Sequence, residues 1–372
     1  MADATCAGCG CACDDIVLGP DGPERTCALG DAWFALGERP PIARIEDRAV
    51  SLEEAAAAAA AILRRARAPL VYGLGRTSCE AQRQAVALAE ALGAVIDPAG
   101  ATGFAYQAVG SSTATFGEIR DRAELVVAWR ADPVVTHPRL LERLRVESLV
   151  VVDATRTATA EQADAFIALD DDFEALWELR ARVGGARLEG GTPALDELAR
   201  RLLDVRRVAF IHGWLDELTA LALASLVRDL NGDRHAVTLG LRGDGNARGA
   251  EDVLAWQTGF ATPVSFARGH PREVPGAATL LERGDVDAAL VVASDPPAAV
   301  AEHLRGLPTI VVDARVTATA RAAQVAFVTA ADGIEIPGTV HRMDGVPVPL
   351  RAPLAAERPS VEEVLAAIGG SP

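Results

Sequence analysis

Short runs of Val, Ile and Leu recur along the chain and alternate with longer segments of helical periodicity. Seven segments each contain such an apolar run without alternating polar residues, which is typical of strands buried on both faces. They span 68–75, 124–133, 148–154, 206–213, 236–241, 287–296 and 308–314. Between them, 78–94 has apolar positions at helical spacing, and Ser51 with Glu54 three residues later predicts a capped helix. This alternation predicts an α/β fold with parallel sheets and right-handed crossovers.

One pattern occurs twice. Asp132-Pro133 followed by "VVDATRTATA" at 151–160 matches Asp295-Pro296 followed by "VVDARVTATA" at 311–320. Each copy places its polar residues just past the carboxyl end of a predicted strand, where ligands bind in open α/β sheets. The repeat predicts two related half-sites for one elongated ligand. The alternative is that Asp-Pro is ordinary turn chemistry and Thr-Ala-Thr a helix cap.

Four of the six cysteines fall in the stretch "CAGCGCAC" at 6–13. Cys6, Cys9 and Cys13 have the spacing C-x2-C-x3-C, and Cys27 follows later in the chain. Closely spaced cysteines supply several thiolates to an iron–sulfur cluster, whereas zinc more usually takes two C-x2-C pairs. The pattern therefore favours iron–sulfur, with Cys11 as a spare. The alternative is a leader whose thiols no longer bind metal.

Composition narrows the classes of function. The chain has 372 residues, enough for two or more domains, and a net charge of −16 with no lysine. Such an acidic balance argues against sequence-independent binding to nucleic acid. No run of eighteen apolar residues predicts a membrane span, and no signal peptide opens the sequence. Clustered cysteines without a secretory signal predict a reducing, cytoplasmic location.

Further candidates carry weaker signals. The segment 241–259 is rich in Gly and Asn beyond a strand, yet it lacks a phosphate-loop or dinucleotide fingerprint. His137 and His212 follow strand ends and could line a cleft, although a hydrogen-bonded loop histidine is the better expectation. Cys79 opens a helix, where packing is the more usual role of a single cysteine. The segment 331–351 is turn-rich and has no role that local physics can name.

Taken together, these segments resemble the molybdopterin/tungstopterin oxidoreductases, and more narrowly the B subunits of formylmethanofuran dehydrogenase and of the bacterial formyltransferase/hydrolase complex. The resemblance lies in the cysteine motif with Cys27, in "WRADPVVTHPR" and in "VVDATRTATAEQADAFIAL". It continues in "GNARGAEDVLAWQTGF", "SFARGHPRE" and "GTVHRMDGVPVPLR". The matching residues cover nearly the whole chain.

The resemblance implies a small cysteine-rich module and two interleaved Rossmann-like parallel-sheet domains, with a pterin dinucleotide held between them. We expect the module at 1–45, the first α/β domain at 46–165 with 285–372, and the second at 166–284. The family's C-terminal β-barrel has no counterpart in this sequence, which implies a partner subunit that carries it. The cofactor contacts implied are Asp132, Pro133, His137, Asp153, Thr157, Asn246, Gly249, Asp295, Asp313, Thr317, Gly338 and Arg342. The implied metal ligands are Cys6, Cys9, Cys13 and Cys27 of a 4Fe–4S cluster.

One departure from the family concerns the metal itself. The dehydrogenase ligates Mo or W through a Cys or selenocysteine in the loop after the second strand of the first domain. Here the corresponding loop, 100–113, contains no Cys, His or Asp. Soft thiolate ligation is therefore unavailable from it, and we do not expect tungstopterin or molybdopterin.

The first hypothesis is that the chain is a non-redox structural subunit of a cytoplasmic formyltransferase/hydrolase complex, without catalytic residues of its own. That complex converts formyl-tetrahydromethanopterin, through formylmethanofuran, to formate. Its hydrolase, formyltransferase and barrel-bearing subunits would be partners, and the chain would help to hold methanofuran. The alternative is the B subunit of an active tungsten or molybdenum formylmethanofuran dehydrogenase, and a third hypothesis is an electron-transfer protein that uses the cysteine cluster alone.

Overall fold

The computed structural model describes residues 2–99 and 103–370 as a mixed α/β protein. The strands are β1 (Ala2–Cys6), β2 (Cys13–Gly19), β3 (Gly22–Glu24), β4 (Ala43–Ile45), β5 (Arg48–Val50), β6 (Pro69–Gly73), β7 (Val95–Asp97), β8 (Leu125–Trp129), β9 (Leu149–Asp153), β10 (Ala165–Ala168), β11 (Arg207–His212), β12 (His235–Gly240), β13 (Val264–Ser265), β14 (Arg272–Glu273), β15 (Ala288–Val292), β16 (Thr309–Asp313), β17 (Val325–Val328), β18 (Gly338–His341) and β19 (Pro347–Leu350). The helices are α1 (Ala28–Phe34), α2 (Leu52–Arg65), α3 (Cys79–Leu92), α4 (Gly103–Val109), α5 (Phe116–Arg122), α6 (Pro133–Thr136), α7 (Leu140–Leu144), α8 (Asp172–Val183), α9 (Pro193–Asp204), α10 (Glu217–Leu230), α11 (Ala247–Thr258), α12 (Ala277–Glu282), α13 (Ala298–Leu304), α14 (Ala318–Ala322) and α15 (Val361–Gly370). In this described part, no helix is both long and apolar enough to cross a membrane.

The continuous apolar runs form buried strands, as predicted. Every residue of β6, β8, β15 and β16 is buried, because helices or loops cover both faces of the sheets at these strands. The predicted cap of α2 is also confirmed, since Ser51 Oγ accepts a hydrogen bond from the Glu54 N–H at 3.1 Å. The segment 331–351 contains an antiparallel hairpin of β18 and β19, which its turn-rich composition did not reveal.

The described residues divide into two compact units. Those within 1–100, 244–342 and 347–372 form unit 1, and those within 101–243 and 343–346 form unit 2. Unit 1 contains a nine-stranded sheet in the order β14-β13-β7-β6-β15-β16-β17-β4-β5. Its five middle strands run parallel in the order 2-1-3-4-5, counted along the chain, so the strand order reverses between β6 and β15. Unit 1 also carries the small antiparallel sheet of β1, β2 and β3.

Unit 2 contains a five-stranded parallel sheet in the order β10-β9-β8-β11-β12. Counted along the chain this is 3-2-1-4-5, the Rossmann order, and the reversal lies between β8 and β11. Trp129 and Phe210 are fully buried in its core. Both units therefore have the parallel, Rossmann-like architecture that the sequence predicted.

The boundaries of the units differ from those expected. Strands β8, β9 and β10 lie in unit 2 and not in the first domain, because β8 pairs along its whole length with β11. The segment with α11, β13 and β14 lies in unit 1 because β13 pairs with β7. Strand β4, placed at the end of the predicted cysteine-rich module, joins the nine-stranded sheet through β17. Each difference arises from pairing between strands far apart in sequence, which local patterns do not encode.

Candidate functional site

The cysteine-rich segment folds as a tight turn between two paired strands. Cys6 ends β1 and lies directly opposite Cys13, the first residue of β2. Between them the Ala12 N–H donates to the Cys9 carbonyl oxygen at 3.2 Å. Cys6, Cys9 and Cys13 are buried, whereas Cys27, at the cap of α1, is half-buried. We refer to residues 6–13 as the cysteine turn.

Burial dominates the environment of the Cys6 thiol. Burial, together with the charges of Cys13, Cys9 and Cys27, raises the pKa of the Cys6 thiol to about 12. The Gly8 N–H donates to Cys6 Sγ at 3.4 Å, which opposes this rise. Backbone donors of this kind stabilise thiolate ligands of iron–sulfur clusters.

The donor types fit an iron–sulfur cluster, but their placement does not complete a site. Across residues 2–99 and 103–370, no three His, Cys, Asp or Glu side chains stand close enough together to hold a metal ion. The ligand set of Cys6, Cys9, Cys13 and Cys27 therefore stays a prediction.

The repeated motif forms the same hydrogen bonds in both units. In unit 2, Asp132 Oδ1 accepts from the Thr159 N–H and hydroxyl, at 2.9 and 2.5 Å. In unit 1, Asp295 Oδ1 accepts from the Thr319 N–H and hydroxyl, at 3.3 and 2.8 Å. These bonds tie together the loops that follow adjacent strands.

The first threonine of the Thr-Ala-Thr shared by both copies is a cap. Thr157 Oγ1 accepts from the Ala160 N–H at 3.2 Å, and Thr317 Oγ1 accepts from the Ala320 N–H at 2.9 Å. Pro133 occupies the first turn of α6, where its missing N–H costs nothing. The turn-and-cap alternative thus accounts for Thr157 and Thr317, and the aspartates in addition fix the shape of both loops.

The second aspartate of each repeat differs between the units. In unit 2, Asp153 lies 3.4 Å from Arg130, and Arg130 also makes a two-oxygen contact with Asp172 at 2.8 and 2.9 Å. In unit 1, the Asp313 carboxylate, 2% exposed, accepts from Arg76 Nη2 at 2.8 Å and from the Arg315 N–H at 2.8 Å. Burial raises the pKa of Asp313, whereas the charges of Arg76 and Arg315 lower it.

Arg76 is a residue that the sequence analysis missed. It follows β6 directly, in the loop "GLGRTS" at the point where the strand order of unit 1 reverses. This loop needs glycine: Gly73 has φ +106°, and a Cβ there would lie 2.3 Å from that of Ser294. Arg76 Nε is buried without a hydrogen-bond partner. The one feature of the sequence that could have identified Arg76 is its place in a Gly-rich loop after the first strand of a parallel sheet.

Arg315, also missed, connects this charge cluster with the cysteine-rich module. Its guanidinium lies 4.3 Å from the centre of the Trp33 ring and donates to the Trp33 carbonyl oxygen. Trp33 belongs to α1, and a Cβ at Gly8 of the cysteine turn would lie 3.2 Å from that of Trp33. The end of β16 and the cysteine turn therefore both contact α1 within unit 1.

Asn246 is a structural cross-link. Its side chain donates to the Thr77 carbonyl oxygen at 2.7 Å and accepts from the His341 N–H at 2.8 Å. A Cβ at Gly249 would lie 2.1 Å from Asn246 Oδ1, so glycine permits this contact. Gly338 similarly lets β18 approach Ser78, where a Cβ would come within 2.7 Å of that of Ser78.

Arg342 follows β18 and is half-buried. Of the predicted contacts, unit 1 holds Asn246, Gly249, Asp295, Asp313, Thr317, Gly338 and Arg342, and unit 2 holds Asp132, Pro133, His137, Asp153 and Thr157.

In unit 2, two buried histidines bracket the end of β12. His137 Nε2 donates to the Arg242 carbonyl oxygen at 2.8 Å, and burial lowers its pKa. His212 Nδ1 donates to the Gly213 carbonyl oxygen at 2.9 Å, so its Nε2 accepts from the Tyr106 hydroxyl at 3.2 Å. Burial lowers the pKa of His212 to about 4. Both are neutral at pH 7 and hydrogen-bonded, which agrees with the expected loop-histidine role.

Comparisons with known proteins agree with this architecture. No protein-family model matches the chain. The B subunits of the tungsten-containing formylmethanofuran dehydrogenases 2 of Methanocaldococcus jannaschii and Methanococcus maripaludis are 32% and 30% identical to it, over 94% and 95% of this chain and 92% and 94% of theirs. The B subunit of the formyltransferase/hydrolase complex Fhc of Methylorubrum extorquens is 28% identical over 68% of this chain and 74% of its own.

Among solved structures, the formyltransferase/hydrolase complex (FhcABCD) of Methylorubrum extorquens with methylofuran has a chain that matches with a TM-score of 0.73 and 26% identity. The match covers 88% of this chain and 97% of that one. Identities of 30% and above over nearly the full length are sufficient to assign the family. The chain therefore belongs to the family of formylmethanofuran dehydrogenase B subunits.

Proposed function

We propose that this chain is the B subunit of a cytoplasmic formyltransferase/hydrolase-type complex and that it carries no redox centre of the Mo or W kind. Such a complex moves a formyl group from formyl-tetrahydromethanopterin to methanofuran and hydrolyses it to formate. The observation that carries the proposal is the segment 100–113 after β7, which contains no Cys, His, Asp or Glu. The dehydrogenases of the family need a thiolate or selenolate there.

Contacts within unit 2 support this, although residues 100–102 lie outside the described part. The Tyr106 hydroxyl is engaged with the neutral His212. Ser112 Oγ accepts from Asn231 Nδ2 at 3.3 Å, and the Ser112 carbonyl oxygen accepts from the Thr238 N–H at 2.7 Å. These oxygen atoms serve the packing of unit 2 and are poor ligands for a soft metal.

The match to a complex solved with methylofuran supports the remainder of the proposal. By this analogy the chain works beside hydrolase and formyltransferase subunits and contributes binding surface for the methanofuran arm. The barrel-bearing subunit implied by the resemblance would complete the assembly.

We further propose that the cysteines hold a 4Fe–4S cluster with a structural role. The cluster would link the cysteine turn to α1 through Cys27, and its negative charge would suit the neighbouring Arg315. In the described residues the thiols do not stand at ligating distance, so the cysteine turn and Cys27 would have to move towards one another to hold the cluster.

A second candidate is the dehydrogenase itself. It is favoured by the 32% and 30% identities with tungsten-containing subunits over nearly the whole chain, above the 28% with the hydrolytic complex. That activity would need a metal ligand from outside 100–113.

Metal analysis of the complex purified from its source decides between the two. The proposal expects W and Mo well below one atom per chain, formate as the product, and no formylmethanofuran-dependent reduction of a viologen dye. Stoichiometric W or Mo together with dye reduction would establish the dehydrogenase instead.

Iron content tests the cluster separately. Cys13→Ala should lose most of the iron and the broad visible absorbance, whereas Cys11→Ala, a buried neighbour outside the predicted set, should retain both. If Cys13→Ala keeps its iron, or wild type contains none, the ligand assignment is wrong.

A further inference from the structure

A cavity of about 380 Å³ opens on one face of the nine-stranded sheet in unit 1. Its floor is the strand face of Ala326 and Val328, and its walls are the β4–β5 hairpin and α14. Pro40 and Pro41 close one end. We call this cavity the α14 groove. Its volume falls in the range of natural binding pockets, from roughly 300 to 1,000 Å³.

The groove exists because this end of the sheet is covered unequally. Helices α2 and α15 pack against each other on one face, with α2 lying over β17 and β4. On the groove side, α14 is only five residues long and cannot span the three strands β17, β4 and β5. The small side chains of Ala320 and Val316 leave the apolar floor open.

The charges that line the groove are mostly positive. The Arg44 guanidinium donates to backbone carbonyl oxygens, among them those of Ala320 and of Ala323 at 3.1 Å, and no carboxylate of the described residues forms an ion pair with it. Arg321 is exposed, and within the described residues its side chain has no hydrogen-bond or ion-pair partner. Asp47 is the single acid of the lining. Two guanidinium groups against one carboxylate make a locally cationic rim on a chain of net charge −16.

An apolar floor with a cationic rim selects an apolar segment that carries carboxylates. The groove lies beside β5, an outer strand of the sheet, where a second polypeptide can approach without displacing any element of unit 1. Its volume suits one or two apolar anchor side chains inserted from such a segment.

We propose that the α14 groove docks an acidic, apolar segment of another subunit of the complex to which this chain belongs. This inference rests on the proposed function, since it takes the partner from that complex. Insertion of apolar side chains between Pro40 and Ala320 would give the affinity, and carboxylates facing Arg321 would give the orientation.

Two exposed positions test the groove without disturbing the core. Ala49→Trp fills it from the β5 side, and Arg321→Glu reverses its rim charge. The matched controls are Ala57→Trp on the exposed face of α2 and Arg83→Glu on the exposed face of α3. Each variant is co-produced with the other subunits, one of which carries the affinity tag, and the chain retained is quantified against salt concentration. The thermal unfolding of each isolated variant confirms that it is folded.

We expect Ala49→Trp to reduce retention at least tenfold and Arg321→Glu to reduce it severalfold at low salt, with a smaller effect at high salt. Both controls should behave as wild type. If folded Ala49→Trp and Arg321→Glu chains are retained as well as the controls, the docking inference is wrong while the proposed function stands. If wild type is not retained by the other subunits, the proposed function fails and this inference fails with it.

Discussion

The loops after β8 and β9 in unit 2 and the loops after β15 and β16 in unit 1 share one scheme of hydrogen bonds but differ in charge. In both, an aspartate of the first loop accepts from the N–H and the hydroxyl of a threonine in the second. Arg130 and Ala293 occupy equivalent positions directly after the strand end, and both have positive φ, +47° and +43°. The residues common to the two copies therefore fix the shape of the loops.

The residues that differ decide the electrostatics. In unit 2, Arg130 itself occupies the strained position and is shared between Asp153 and Asp172, all of them about one-fifth exposed. In unit 1 the corresponding position is Ala293. The Arg76 guanidinium reaches the more buried Asp313 from the loop after β6, and Arg315, two residues beyond Asp313, donates its backbone N–H. The repeated loops thus share their Asp–Thr hydrogen bonds, whereas the residues around them differ. Only the copy in unit 1 has a buried aspartate–arginine cluster.

The largest predicted effect separates the two copies. Asp313→Ala leaves Arg76 partly buried without its carboxylate, which should cost about 3–5 kcal/mol in the free energy of unfolding. Asp153→Ala should cost about 1 kcal/mol, because Arg130 keeps its two-oxygen contact with Asp172. Urea unfolding at pH 7 measures both values. If both variants lost the same free energy of unfolding, the difference in burial and charge between the two copies would not affect stability.

A second buried carboxylate, Asp332, shows what burial does to the pKa of an aspartate that has no neighbouring arginine among the described residues. Asp332 accepts from the Thr77 hydroxyl and the Ser78 N–H, and no arginine in the described part of the chain pairs with it; burial raises its pKa from 3.8 to about 6. The folded state therefore holds the proton more tightly, so stability falls as pH rises through the window from 4 to 6.

The shift of Asp332 corresponds to roughly 3 kcal/mol at pH 8. We expect Asp332→Asn to be more stable than wild type at pH 8, with the advantage vanishing near pH 4. Thermal unfolding across that range provides the measurement. An Asn variant that is less stable at every pH would contradict the assignment.

The shared hydrogen bonds should behave alike in the two units. Asp132→Ala and Asp295→Ala should each cost about 2 kcal/mol, since each leaves a threonine N–H and hydroxyl without an acceptor. Hydrogen exchange of Thr159 and Thr319 should increase to a similar degree in the respective variants. A difference above about 1 kcal/mol between the two would mean that the loops are not equivalent scaffolds.

The smallest effect concerns unit 2 alone. Tyr106→Phe removes the donor to His212 Nε2 and should cost about 1 kcal/mol. Because burial already holds the pKa of His212 near 4, the ring should stay neutral in the variant at pH 7. NMR titration of His212 checks this, and protonation of the variant between pH 6 and 7 would run against it.

Much of the fold could be predicted because its signals are local. Ser51 and Glu54 specify the start of α2, and the unbroken apolar runs specify the buried strands. The two half-sites stay a prediction, since Asp132 and Asp295 form hydrogen bonds within the protein. Arg76 was missed because nothing in its immediate sequence shows that it reaches Asp313. Arg315 was missed because its contact with Trp33 joins residues 282 positions apart.

The sequence by itself determined which segments become strands, which residues cap helices, and that 100–113 contains no Cys, His, Asp or Glu. These features depend on neighbours a few positions away or on residue type alone. Tertiary structure decided which sheet β8 and β13 join, and it brought Arg76 to Asp313 across 237 positions. Such pairings depend on how the whole core packs, because packing stabilises a contact regardless of how far apart its residues lie in the sequence.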